Sequence, residues 1–173
     1  MKSQNMNIDY SNIYVKYLKL LIRLLHKLKS QEDGDQNFLN ARLSPDMFPL
    51  KVQVKVAASF ALRASCQDHN GALADPGERI ESVAGLVNYL QDVSKFIEKS
   101  NPYEENEIED KAGFKTIRMN PQEYIYHFSL PNFFFHLSMV YAIAKSHGLS
   151  VTKGDFDGLH EYPMGFNWET DAE

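Results

Sequence analysis

Residues 10–28 restrict the fold more than any other stretch. Tyr14, Leu18, Leu21, Leu25 and Leu28 recur at intervals of three and four, the period of an α-helix. Ile13, Tyr17, Leu20 and Leu24 form a second apolar row beside the first, and Lys16, Lys19, Arg23 and Lys27 line the opposite side. Two adjacent apolar rows make a face wider than one bundle neighbour covers. Such a helix needs two neighbours within its own chain, or one neighbour and a second subunit. The four bases interrupt the apolar run, so it does not read as a membrane span. A basic helix lying on a membrane surface is a weaker use of the same pattern.

Three further helices follow from the same reasoning. Helix two should open near Pro45 or Pro49 and run to about Cys66–Gln67. Ser44-Pro45-Asp46 supplies a cap and then a proline whose missing N–H costs little. Leu50, Val54, Ala57, Ala61 and Ala64 share one face, and the alanines permit close approach of a partner helix. Helix three should start at Asp75, with Pro76 next and Glu78 completing a capping box. Ile80, Val83, Val87, Leu90, Val93 and Ile97 give its core face, and it should end near Ser100. Helix four should open on Asn120, Pro121 and Glu123 and reach about Ser146, with Gly148 as its stop. Pro131 lies inside it and predicts a kink.

Between helices three and four, Gly113 to Met119 alternate apolar and polar residues, which predicts a strand. Ile108 is placed on its partner. Ser30 to Asn37 reads as a loop, followed by a short helical turn around Phe38 to Leu43. The expected fold is therefore all-α: a four-helix bundle with a small β-hairpin insertion. Residues 1–159 form a single bundle domain and 160–173 an acidic C-terminal tail.

Charge sets limits on partners. The net charge of −5 resides entirely in residues 150–173, where Lys153 faces Asp155, Asp157, Glu161, Glu169, Asp171 and Glu173. A neutral body with an acidic tail lacks the basic footprint that nucleic acid demands. The single cysteine, Cys66, excludes an intrachain disulfide and a cysteine-rich metal site. Met1 to Asn7 is polar and has no apolar signal core, so a cytoplasmic protein is expected.

The chemistry concentrates in Leu130-Pro131-Asn132-Phe133-Phe134-Phe135-His136. Asn132 and His136 are four residues apart and share one helix face. A polar pair in so apolar a helix is either hydrogen-bonded core or the wall of a pocket. His136 is then a core histidine, a metal ligand or an acid–base group. His127 lies nominally half a turn away, an angle that the proline leaves open. Asp46 could reach the rim of such a pocket or simply offset the dipole of helix two. No nucleophile elbow, P-loop or Rossmann glycine pattern is present. Cys66 more plausibly packs than reacts, and His26, His69, His147 and His160 read as surface residues.

Two segments carry a family resemblance: Ala41 to Val54, reading ARLSPDMFPLKVQV, and His127 to His136, reading HFSLPNFFFH. Together they resemble an uncharacterised domain-of-unknown-function branch, bacterial and fungal, of the DinB/YfiT-like superfamily. Gly148 to Val151 and Lys153 to Phe156 are similar as well. The resemblance implies a four-helix bundle, often dimeric. In many members it implies a metal site built from one histidine of helix two and a His-x-x-x-His pair of helix four. It also implies thiol-dependent transferase or isomerase chemistry in some of them.

On this chain the helix-four pair falls on Asn132 and His136, and the helix-two position falls on or beside Gln53. Zinc and nickel prefer imidazole and thiolate, so one imidazole with two amides should hold a divalent ion only weakly. The same groups suit a hydrogen-bonded network. The reading is a polar inter-helix pocket formed by Gln53, Asn132, His136 and His127, a degenerate metal site that binds a small molecule. Any metal there would be a loosely held zinc or nickel ion on His136, with Gln53 and Asn132. The alternatives are a metal-dependent thiol transferase or isomerase with a third strong ligand, and a non-catalytic structural homodimer.

Overall fold

The computed structural model describes residues 10–31, 37–65, 80–100, 107–163, 166 and 170. Helix α1 spans Ser11–Lys29 and buries its first apolar row completely, with Tyr14, Leu18, Leu21, Leu25 and Leu28 at most 2% exposed. It packs chiefly along α3 (Val83–Lys99). Its second row is covered by the chain's own C-terminal turn, α6 (Lys153–Asp157), and by the fourth long helix. Tyr17 meets Phe134 edge-on at 4.8 Å and lies 5.8 Å from Phe156. Gly158 closes α6 with φ +69° and presses on Leu20; a Cβ there would fall 2.9 Å from a Leu20 methyl. The wide apolar face of α1 is therefore covered within the chain, by α3, α6 and the fourth long helix.

A 3-10 turn at Asn37–Asn40 leads towards α2 (Leu50–Ser65). Of the two expected starts the chain uses Pro49, whose carbonyl accepts from the Gln53 N–H at 3.0 Å. Ser44-Pro45-Asp46 instead makes a separate turn, closed by the Met47 N–H on the Ser44 carbonyl at 3.0 Å. Ala57, Ala58, Ala61 and Ala64 are fully buried, and α2 lies along both the fourth long helix and α3.

Helix α3 departs from expectation at its start. Asp75, Pro76 and Glu78 lie outside the described residues, but Ile80 and Glu81 are non-helical and the cap is Ser82. Its hydroxyl accepts from the Gly85 N–H at 3.1 Å. Ile80 is thus not on the helix, although it packs against the core.

Strands β1 (Ile108–Ala112) and β2 (Lys115–Met119) pair antiparallel, with Ile108 opposite Met119 and Ala112 opposite Lys115. The turn uses Gly113 at φ +62°, a region open to glycine at little cost. Asp110 of β1 ties the hairpin to the bundle. It accepts from Arg63 Nη1 at 2.7 Å and from the Tyr124 hydroxyl at 2.6 Å.

The fourth long helix is built in three pieces: α4 (Pro121–Glu123), a π segment (Tyr124–Ser129) and α5 (Leu130–Ser146). Asn120 and Glu123 form the expected capping box. The disturbance expected at Pro131 sits just before it, where the Leu130 N–H reaches back five residues to the Ile125 carbonyl. A proline beside a π-bulge is physically consistent, because both interrupt the i→i−4 ladder. Four long helices with a hairpin between the third and fourth make this an all-α bundle.

Candidate functional site

Gln53 and His136 meet inside the bundle. Gln53 is 2% exposed on α2 and His136 is 9% exposed on α5. His136 Nδ1 and Gln53 Oε1 are 2.7 Å apart. The direction of this bond follows from the other end of the amide. Gln53 Nε2 donates to the Phe48 carbonyl at 3.3 Å, and a carbonyl can only accept. Oε1 therefore faces the imidazole, and Nδ1 carries the proton. The second ring nitrogen, Nε2, takes no hydrogen bond among the described residues.

Aromatic rings enclose the imidazole. Phe60 stacks on it at 5.8 Å and 19°, and Phe135 stands edge-on at 5.1 Å. Burial pushes the His136 pKa below its ordinary value. Near neutral pH the ring is consequently uncharged, with an unprotonated Nε2 lone pair.

Asn132 lies one turn earlier on α5 and is half-buried. Its amide N–H donates to the Phe128 carbonyl at 2.7 Å, so the side chain serves the helix beside the π segment. His127, expected in the pocket, is instead exposed within the π segment and does not join the Gln53–His136 pair. Asp46 is exposed, and its carboxylate takes a hydrogen bond from the Ser44 hydroxyl, which holds its pKa low. Cys66 and His69 lie outside the described residues. No group of three His, Cys, Asp or Glu side chains gathers to hold a metal ion among the described residues.

A second polar network crosses the bundle at the π segment. The Tyr14 hydroxyl donates to Ser129 Oγ at 2.8 Å, and Ser129 donates to the Phe60 carbonyl at 3.0 Å. Burial drives the Tyr14 pKa upward, so the phenol stays a donor. This bridge fixes Phe60, the ring that stacks on His136.

A cleft of about 760 Å³, lined by neither Gln53 nor His136, opens over the first turns of α2. Phe48, Val52 and Val56 give it apolar wall, and Arg42, Lys51, Lys55 and Glu81 give it charge. Phe48 is 54% exposed there while its carbonyl is held by Gln53. The sequence reading missed this cleft, although Arg42, Lys51 and Lys55 stand in or beside one of its motif segments. The i,i+4 spacing of Lys51 and Lys55 was the available signal.

These elements define a DinB-like helical bundle with a buried amide–imidazole pair at its centre. The fold is similar to that of a DinB family member protein from Shewanella denitrificans, with a TM-score of 0.69 and 22% identity over 88% of this chain and 92% of that one. Residues 10–157 match the family described as Domain of unknown function (DUF1993), and the chain belongs to that family. No curated protein matches it. No helix among the described residues is long and apolar enough to cross a membrane.

Proposed function

We propose that the Gln53–His136 pair is the polar anchor of a small-molecule site between α2 and α5. It stands at positions that, by resemblance, correspond to metal ligands in related bundles. One observation supports this reading above the rest: the bond to Gln53 sets His136 as the Nδ1–H tautomer, so that Nε2, which takes no hydrogen bond among the described residues, is an acceptor flanked by Phe60 and Phe135. A neutral imidazole nitrogen beside aromatic rings is an acceptor that a ligand N–H or O–H can use.

The donor set does not fit a tightly held zinc or nickel ion. Gln53 Oε1 already accepts from the imidazole, and the Asn132 amide is bonded to its own helix. One open imidazole nitrogen remains, where structural and catalytic zinc sites use three or four ligands. No reaction step is therefore assigned to a metal.

The test joins metal analysis to imidazole spectroscopy. Purified full-length chain is titrated with zinc and with nickel, and the His136 ring nitrogens are followed by 15N NMR. The expected result is the Nδ1–H tautomer at neutral pH and no stoichiometric ion. Titration with a set of small alcohols, amides and ureas should then move the Nε2 resonance. A stoichiometric metal that disappears in His136→Ala would overturn the reading, as would an Nε2 resonance indifferent to every ligand.

A further inference from the structure

We propose that the cleft over the first turns of α2 binds a small organic anion: a carboxylate or phosphate head carried on an apolar body. The volume of about 760 Å³ falls within the range of small-molecule sites, roughly 300–1,000 Å³. Its lining separates into two chemistries. Phe48, Val52 and Val56 form an apolar wall, and Arg42, Lys51 and Lys55 outnumber the single carboxylate of Glu81.

Three features make the charged part suited to an anion. Lys51 and Lys55 stand one turn apart on α2, so two cationic side chains line the same side of the cleft. The Lys51 side chain is only 16% exposed and pairs with Glu81, so its stem is part of the wall and its ammonium is held at the edge of the cleft. Arg42 gives one N–H to the Met47 carbonyl and keeps the rest of its fork for a carboxylate or phosphate. The apolar part is equally set. Phe48 offers an exposed ring at the mouth, positioned through its backbone by Gln53.

This inference does not rest on an open Nε2 at His136, and its test separates the two. Phenylacetate, phenyl phosphate, 2-phenylethanol and inorganic phosphate are each titrated into the full-length chain by calorimetry, with backbone amide shifts mapped in parallel. At least one aromatic anion should bind, with shifts centred on residues 42–56, and the neutral alcohol should bind at least about tenfold more weakly. The stronger of the two anions identifies the head group. Arg42→Gln should weaken that anion on the order of tenfold, Lys115→Gln on the hairpin should leave it unchanged, and the His136 Nε2 resonance should not follow the anion. Glu81→Gln should tighten it several-fold by freeing Lys51, a gain that a misfolded variant cannot imitate. Binding of the alcohol as strong as that of the anions would overturn the proposal. So would inorganic phosphate matching phenyl phosphate, shifts centred elsewhere, no binding at millimolar concentration, or a Glu81→Gln variant that binds no better.

Discussion

A neutral imidazole held in a bundle makes stability depend on pH through one side chain. Burial lowers the His136 pKa below its unfolded value of about 6.5. Above that value both states are uncharged at this site and the full contribution is present. As the pH falls below it, the unfolded chain takes the proton first, so stability declines until the folded pKa is passed. Chemical denaturation between pH 7.5 and 5.5 should show this decline, and His136→Gln should flatten it. An unchanged slope in the variant would mean that the imidazole is not held neutral. The hydrogen bond to Gln53 can be weighed separately. Gln53→Leu strands a buried Nδ1–H and should cost about 1–3 kcal/mol in urea denaturation. His136→Leu strands the amide and should cost a similar amount. Removing both groups together should cost less than the sum of the two, because no polar atom is left unpaired. Simple additivity would show that the two side chains are not coupled.

At the scale of elements, the π segment is held by tertiary bonds as well as by its own i→i−5 ladder. Ser129 stands between the Tyr14 hydroxyl of α1 and the Phe60 carbonyl of α2. Ser129→Ala should destabilise by about 1–3 kcal/mol, since it leaves the buried phenol of Tyr14 without its acceptor. Tyr14→Phe removes a donor but leaves Ser129 bonded to Phe60, so it should cost less. Equal losses in the two variants, measured by urea denaturation, would argue against this bridge. The same contrast marks what was legible in the sequence. The capping box of Asn120 and Glu123, the stop at Gly148 and the apolar rows of α1 are written in residues close together along the chain, and they were readable. The π segment was signalled only by Pro131, because its register depends on partners such as Tyr14, 115 residues away. The start of α3 was misplaced because Asp75-Pro76 is a stronger local signal than Ser82. For the site, positions 53 and 136 could be assigned to facing helices from the motifs. The tautomer could not, because it is set by the Phe48 carbonyl. The exposure of His127 was hidden for the same reason as the π register, and the cleft because Phe48 and Arg42 come from a returning loop.

For the whole molecule, the decisive feature is how the chain closes on itself. The second apolar row of α1 suggested either a second intramolecular neighbour or a partner subunit. The segment after Gly148 supplies the first: Lys27 pairs with Asp155 at 2.7 Å, and Phe156 packs against Tyr17 and Tyr141. Phe156 is 5.8 Å from Tyr17 and 6.4 Å from Tyr141, ring to ring. At the far side of the bundle, Asp110 does similar work for the hairpin by receiving Arg63 and Tyr124. Both insertions are thus fastened by side chains that reach back to a long helix. Because Phe156 is half-buried, Phe156→Ala should cost about 2 kcal/mol, below the ~3–5 typical of a fully buried ring. For a chain of this length that loss corresponds to a fall of about 4–8 °C in melting temperature. The uncovered rings of Tyr17 and Tyr141 would then face water, so sedimentation velocity should show the variant associating more than the parent chain. If the melting temperature and the sedimentation profile both stay where they were, the cover over α1 does not come from α6, and a second copy of the chain becomes the natural candidate for it.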